Sequence, residues 1–267
     1  MELGIINKFP LGIWAIILIM VLLASLETGY RLGLRKNQLD DDSKPGSKDF
    51  VMGSMFAVLG LVMAFTYAYT VNRAGMRQNT LVNEANAIGT AFRRADLTAE
   101  PSRSELKQLL LNYAQTRVFT TDMNNNQENF EQAIARTLAA QSKLWPATIR
   151  MVQSSTAGPK ELSIVYAINE VLDIYVNRFR GTYDRLPGVA LLMLIFIAAA
   201  SLSVAGFNAG LSGNINRWRI TTFTIVLVVV LLIIVDFDIP QRGFIGVNQG
   251  ALEDVIAEMR VSVSRSE

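Results

Sequence analysis

The sequence contains neither cysteine nor histidine in its 267 residues. This absence excludes a disulfide scaffold, a zinc site of cysteine and histidine ligands, a thiol nucleophile and any catalytic triad built on imidazole. Charged residues are also few, at 18%, against about 25% in an average soluble domain. Because 25 basic and 23 acidic residues leave a net charge of only +2, the chain has no basic field suited to binding nucleic acid.

Four long apolar segments account for the missing charge. The predicted spans cover residues 11–26 with an extension toward Tyr30, 50–71, 186–211 and 220–235. A helix needs about 20 residues to cross the hydrocarbon core of a bilayer, so all four are long enough or nearly so. A signal peptide is the rival interpretation of the first segment, but no small-residue cleavage site with a polar mature start follows it.

The spans form two pairs that are separated by a polar insert. The predicted organisation is an N-terminal transmembrane pair over 1–71, a helical extramembrane domain over 72–185, a C-terminal transmembrane pair over 186–240 and a tail helix over 241–267. Four spans place both termini on the same side as the insert. Basic residues near the membrane are balanced between the two sides, so the positive-inside rule leaves the orientation open.

The insert has the sequence features of helices. Its apolar residues recur at helical spacing, without strand-like alternation. Ser102 and Glu105 match a capping box at the start of one helix, and Pro159 suits the first turn of another. The three asparagines at 124–126 indicate a turn. A last helix over 252–263 carries one apolar face, which predicts packing against the insert.

Two helices of the insert are predicted to continue membrane spans. The second span runs on toward Asp96 without a proline. The helix over 161–179 leads into the third span through Gly181 and Pro187, where a kink is expected. The predicted fold class is therefore all-α: a membrane protein with four transmembrane helices and a helical extramembrane stalk domain inserted between helices 2 and 3.

Small residues form ridges on two of the spans. Gly60, Ala64 and Ala68 are four apart in the second span, and Gly206 and Gly210 make a GxxxG motif in the third. Small residues at this spacing let helices approach closely. Packing within one subunit is the simpler interpretation, and contact between subunits is the alternative.

No ionisable residue lies in the middle of any predicted span. A proton relay or proton-coupled transporter needs such a group, so its absence disfavours both classes. A passive pore does not need one, because apolar and hydroxyl side chains can line it. The sequence also has no phosphate-binding loop, dinucleotide fingerprint or metalloprotease motif, and we expect no enzyme.

An acidic pair lies at the exit of the fourth span. Pro240 disfavours helix at Ile239, so we expect the chain to unwind here. On an unwound backbone Asp236 and Asp238 would face the same way and bind Ca²⁺ or another cation. In the simpler interpretation the pair only ends the span, with Asp236 paired to Arg242.

A polar cluster lies on the continuation of the second span. Three of its members occupy helical positions i, i+3 and i+7, which places them on one face. Such a face is usually solvated, but because the opposite face is apolar an interhelical hydrogen-bond network is the alternative. The cluster comprises Asn83, Glu84, Asn86, Thr90, Arg94 and Asp96.

Three separated stretches resemble the bestrophin-like domain family of bacterial membrane proteins. They are residues 83–96, the Arg-Leu-Pro-Gly start of the third span at 185–188, and 236–240 followed by Arg242 and Gly243. The resemblance covers nearly the whole chain in the same order: two spans, a helical insert, two spans and a short tail.

The resemblance implies a channel. Bestrophins proper are pentameric anion channels, some homologues pass cations, and their pore continues through a helical cytoplasmic region. By resemblance we expect a homo-oligomer, a pentamer, in the lipid bilayer of the cell inner membrane, with cytoplasmic termini and stalk. Asp236 and Asp238 lie in a place comparable to the calcium clasp of the animal channels, but no acidic run follows them. The resemblance does not assign any residue of this sequence to the lining of a pore.

Three functions are open on these grounds. The leading hypothesis is an oligomeric ion channel with passive conduction through a central pore. The alternative is a membrane-anchored interaction protein, similar to the stators of proton channels, whose stalk binds a partner without a pore of its own. An intramembrane enzyme would need Asp236 and Asp238 as a catalytic pair, and no further acid, base or metal ligand lies near them in sequence.

Overall fold

The structure is a computed structural model, and it describes residues 11–39, 48–118, 127–155, 158–183, 185–213, 216–238 and 246–265. Its helices are α1 (Leu11–Leu39), α2 (Lys48–Arg94), α3 (Ser102–Thr116), α4 (Gln127–Ser154), α5 (Pro159–Tyr183), α6 (Gly188–Leu211), α7 (Arg217–Asp238) and α8 (Gly250–Ser264). A short 3₁₀ turn, Ala95–Leu97, follows α2. The described residues include no strand, which confirms the all-α prediction.

The chain divides into two compact units. The membrane unit comprises residues 1–73 and 185–239, and the helical unit comprises residues 74–184 and 240–267. Helices α1, α6, α7 and the first half of α2 belong to the membrane unit. The second half of α2 belongs to the helical unit, together with α3, α4, α5 and α8.

Four helical segments are long and apolar enough to cross a membrane, as predicted. They are Gly12–Gln38, Phe50–Leu97, Gly188–Leu211 and Arg217–Asp238. The first is longer than the predicted span, because α1 continues past Tyr30 to Leu39.

Helices α1 and α6 pack backbone to backbone in the membrane unit. A Cβ atom on Gly206 would overlap the carbonyl oxygen of Leu26, and Gly29, Gly33 and Gly210 lie equally close to the facing helix. Such close approach is possible only where side chains are missing. The same contact explains the length of α1, since its last turns pack on the glycines of α6.

An apolar core holds the rest of the membrane unit together. It combines side chains from α1, α6 and α7 with a smaller contribution from α2. Its buried members are Leu22, Leu26, Leu59, Leu194, Ala198, Leu202, Leu227, Val228, Leu231 and Ile234.

The helical unit has a second core, to which each of its helices contributes one face. The largest fully buried side chains include Leu81 and Ile88 of α2, Leu106 and Leu110 of α3, Leu144 and Met151 of α4, and Ile164 and Ile168 of α5. The predicted tail helix is confirmed as α8, and its Leu252, Ile256 and Met259 are buried in this core.

The capping box predicted for α3 is wrong. Pro101 occupies the N-cap position, so Ser102 is already helical and makes no cap hydrogen bond. The Glu100 carboxylate instead accepts hydrogen bonds from the hydroxyl (2.8 Å) and backbone N–H (3.2 Å) of Ser104. The hydroxyl bond lowers the pKa of Glu100. Glu105 forms an ion pair with Arg150 at 2.5 Å.

The continuity of α2 is confirmed, whereas the predicted junction before the third span differs. Helix α2 runs unbroken from Lys48 to Arg94, and α5 starts at Pro159 as expected. However, α5 ends at Tyr183 and α6 restarts at Gly188, with an extended Pro187 (ψ 127°) at its N-cap. A proline disfavours helical conformation at the residue before it, so the helix is interrupted here and does not continue through a kink. The turn at 124–126 lies outside the described residues.

Candidate functional site

Half of the predicted polar cluster lines a groove between α2 and α5. Asn83, Asn86 and Thr90 form one wall of this groove, and Glu170 and Asn177 lie on the α5 side. The cavity has a volume of about 410 Å³, and its asparagines, Asn83, Asn86 and Asn177, are exposed at the surface. We call it the polar groove.

The polar side chains of the α2 wall form no hydrogen bonds with other described helices. In the part of the chain that the structure describes, Asn83, Asn86 and Thr90 make no side-chain hydrogen bond or ion pair. They therefore present amide and hydroxyl groups to whatever enters the groove. The interhelical network forms instead at the neighbouring residue of the cluster, Glu84.

Glu84 is the centre of a buried charge cluster. Its carboxylate is fully buried and accepts a hydrogen bond of 2.5 Å from Nε of Arg117 and a second from Nη1 of Arg178. The side chains of Arg117 and Arg178 are themselves only 5% and 11% exposed. The carboxylate thereby joins α2 to the end of α3 and to α5. Charge-assisted hydrogen bonds of this kind are about twice as strong as neutral ones.

The surroundings of the buried charge cluster are aromatic. The Arg117 guanidinium carbon lies 4.8 Å from the centre of the Tyr175 ring. Burial lowers the pKa of Arg178, and the Glu84 carboxylate opposes that shift. Burial also raises the pKa of the Tyr113 hydroxyl, which has no hydrogen-bond partner among the described residues.

We expect Tyr113→Phe to flatten the alkaline pH dependence of stability. Because folding raises the pKa of Tyr113, its contribution is fully present below about pH 10, the ordinary tyrosine value, and is lost as the pH rises through the folded value. Wild-type protein should therefore lose more stability than Tyr113→Phe above about pH 10. At neutral pH the variant should be at least as stable, since it removes an unsatisfied buried hydroxyl.

Thermal unfolding of the full-length protein in detergent measures this difference. Replacing Trp14 and Trp218 by phenylalanine leaves Trp145 as the only tryptophan and makes fluorescence a reporter of the helical unit. Parallel pH curves for the two proteins in this reporter background would contradict the expectation.

The last two members of the predicted cluster make separate contacts. Arg94 donates a hydrogen bond of 3.0 Å to the carbonyl oxygen of Ser163. Asp96 accepts one of 2.7 Å from Nζ of Lys107, which also donates to the Ser262 hydroxyl at 3.0 Å. The first bond joins the end of α2 to α5, and the two bonds from Lys107 join α3 to the 3₁₀ turn and to α8.

The acidic pair at the end of the fourth span lies on a helix. Helix α7 runs through Asp238, so the unwinding predicted at Asp236 is wrong. Residues two apart on a helix point in nearly opposite directions, and the pair does not share one face. Asp236 is 5% exposed, and Asp238 accepts a hydrogen bond of 2.7 Å from the backbone N–H of Leu186. Ile239, Pro240 and Arg242 lie outside the described residues.

A cation site at this pair stays a prediction. Among the described residues there is no group of three or more aspartate, glutamate, histidine or cysteine side chains that could hold a metal ion. Calcium prefers six to eight oxygen ligands, which two carboxylates on opposite sides of a helix do not supply.

The membrane half of α2 is largely uncovered by the rest of its own chain. Only 6% of its most apolar 18-residue window is buried. Ala64 and Ala68 are exposed, and no atom lies within 4 Å of a Cβ built on Gly60. The small-residue ridge of α2 thus packs against no other described span, unlike Gly206 and Gly210 of α6.

Sequence reasoning missed several residues of these contacts. Gly29 and Gly33 are four apart in α1, so their spacing was a readable signal for close helix packing. Arg117, Arg178 and Lys107 carried no comparable signal, because a basic residue in a helical insert is most often solvated. Only the folded chain brings their charges to Glu84 and Asp96.

Comparison with known proteins extends this description. A family model described as Bestrophin-like domain matches residues 18–252. No curated protein matches the sequence.

Two solved structures have a similar fold. A bacterial bestrophin homologue from Klebsiella pneumoniae, solved as a point variant, superposes with a TM-score of 0.65 at 10% identity, covering 92% of this chain and 98% of its own. A structure described as a membrane protein, also a point variant, gives a TM-score of 0.64 at 9% identity, covering 95% and 98%. At such low identity the likeness is one of fold. Because the family model matches most of the sequence, the chain belongs to the bestrophin-like domain family.

Proposed function

We propose that the protein is an oligomeric ion channel of the cell inner membrane that conducts ions passively through a central pore. Membership of the bestrophin-like family supports this proposal, since bestrophins proper are oligomeric channels. By the same analogy we propose that the termini and the helical unit are cytoplasmic. The proposal involves no catalytic chemistry.

The uncovered surface of α2 carries the proposal. A span that contacts little of its own chain needs lipid or further protein as its neighbours. A closed ring of identical chains supplies those neighbours and also encloses an axial path. The small side chains of Ala64 and Ala68, which are exposed on α2, allow such copies to approach closely.

We propose Leu61 and Phe65 as the narrowest part of the pore. They lie one helical turn apart, and their side chains are 57% and 68% exposed. They are on the face of α2 opposite Phe56 and Met63, which pack inside the membrane unit. A ring of such apolar side chains closes a pore to water and ions by dewetting.

Substitution of Phe65 by serine is expected to increase the current several-fold, because a hydroxyl wets the constriction. Phe196→Ser is the matched control: Phe196 is 72% exposed on α6, and this variant should conduct like the wild type. Planar-bilayer recordings of the purified proteins provide the measurement. Equal currents from both variants would contradict the assignment of Phe65 to the pore.

The mass and symmetry of the purified particle test the channel itself. Native mass spectrometry with cryo-EM class averages should give a closed ring, a pentamer by resemblance, and the ring should conduct in a planar bilayer. A monomer or dimer without an axial path, or a ring that stays silent across salts and voltages, would overturn the proposal.

A membrane-anchored interaction protein is the second candidate, and the polar groove favours it. Asn83, Asn86 and Asn177 present hydrogen-bonding groups that the described chain does not use, as a partner-binding surface would. Two results together would support this function over a channel. A partner should co-purify in stoichiometric amount with the wild type but not with Asn86→Leu, and the purified wild type should show no conductance.

A further inference from the structure

A second groove, on the membrane unit, is apolar along nearly its whole length. It lies between α2, α6 and α7 and has a volume of about 860 Å³. Small residues open it: Gly60 on α2, and Ala205 and Ala209 on α6, are part of its lining. The space beside Gly60 is empty, since a Cβ there would meet no atom within 4 Å. We call it the membrane groove.

The membrane groove has the length of one bilayer leaflet. Its lining on α7 extends from Arg219 to Val230. At 1.5 Å per residue these eleven steps correspond to about 16 Å. The hydrocarbon core of a bilayer is about 30 Å thick, so one leaflet is about 15 Å deep. The length of the groove therefore matches the depth that one acyl chain occupies.

Polar groups occur only at one end of the membrane groove. Asn216 and Arg219 line that end, and the neighbouring Trp218 is 79% exposed, as expected of a residue at the membrane interface. The Asn216 side-chain oxygen accepts a hydrogen bond of 3.2 Å from the backbone N–H of Arg219. The guanidinium of Arg219 forms no ion pair within the described chain, and the first turn of α7 contains no acidic residue.

We propose that the membrane groove binds a bilayer phospholipid with an anionic headgroup. Its acyl chain lies along the apolar walls, and its phosphate lies at Arg219. A neutral lipid fills the same walls but lacks the net charge that complements Arg219, so the arginine makes the site selective. Basic residues at the ends of grooves between spans recognise anionic headgroups in this way. The proposal does not depend on conduction.

Lipid titration of the delipidated full-length protein in detergent tests this proposal. Native mass spectrometry follows the binding of dioleoyl-phosphatidylglycerol and, separately, of dioleoyl-phosphatidylcholine. Wild-type protein should prefer the anionic lipid. Arg219→Gln should weaken phosphatidylglycerol binding about fivefold, the effect of one basic residue near an anionic lipid surface, and leave phosphatidylcholine binding unchanged.

Arg217→Gln is the matched control for charge. It removes the same charge from the same helical turn, but Arg217 does not line the groove. It should bind both lipids like the wild type. Arg219→Lys should retain most of the preference, which separates loss of charge from loss of folding.

Filling the groove tests the acyl-chain site. Gly60→Leu should lower the binding of both lipids, whereas Gly12→Leu, at an equally open glycine outside the groove, should not. Equal losses in Arg217→Gln and Arg219→Gln, or wild-type lipid binding by Gly60→Leu, would overturn the proposal. Crosslinking of Gly60→Cys to a second copy by a short bifunctional thiol-reactive reagent would also overturn it, because another subunit would then fill the groove. The natural sequence has no cysteine, so any such crosslink must join the introduced residues.

Discussion

Glu84→Gln is expected to destabilise the helical unit more than removal of any exposed charge. Glutamine keeps the shape of the side chain but leaves Arg117 and Arg178, both nearly buried, without this carboxylate. Breaking a buried ion pair by removing one partner costs about 3–5 kcal/mol, because the buried charge loses the opposite charge that offsets its desolvation. The loss is a large fraction of the total stability of a typical domain.

Glu105→Gln is the matched control for this substitution. Glu105 also pairs with an arginine at 2.5 Å, but its side chain and that of Arg150 are 40% and 57% exposed. Exposed pairs contribute only about 0.2–1 kcal/mol, so this variant should unfold almost like the wild type.

Denaturant unfolding in the Trp145 reporter background measures both variants. Adding Arg178→Met to Glu84→Gln should recover part of the lost stability, because an apolar side chain replaces a buried charge. Similar unfolding midpoints for Glu84→Gln and Glu105→Gln would show that the cluster contributes little.

Gly206→Ala is expected to separate α1 from α6. The added methyl group overlaps the carbonyl oxygen of Leu26, and a backbone atom inside a helix cannot move aside as a side chain does. Overpacking of this kind costs about 1–3 kcal/mol and more where backbone must shift. We expect a clear fall in the thermal unfolding midpoint of the membrane unit.

Gly60→Ala is the control for the glycine substitution. Its methyl group enters open space, and alanine is the better helix former by about 1 kcal/mol, so stability should be unchanged or slightly raised. Thermal unfolding in detergent, followed by circular dichroism, compares the two variants. Equal midpoints would mean that α1 and α6 do not need their close approach.

The four spans and the helical insert could be predicted from the amino-acid sequence alone. Hydrophobicity over about 20 residues and helical periodicity are local properties of the sequence, and they do not depend on which distant residues pack against the segment. The same holds for the unbroken α2 and for α8. The start of α3 and the end of α7 were misjudged, because helix ends depend on a few hydrogen bonds such as the one from Ser104 to Glu100.

The pairing of charges and the choice of packing surfaces were decided only by the tertiary structure. Glu84 lies next to Asn83 in sequence, yet one is fully buried between two arginines and the other lines an open groove. Two similar ridges of small residues also have different surroundings. Gly206 packs against the backbone of α1, whereas no atom lies within 4 Å of a Cβ built on Gly60. Burial and pairing depend on residues distant in sequence, so the local pattern could not distinguish these cases.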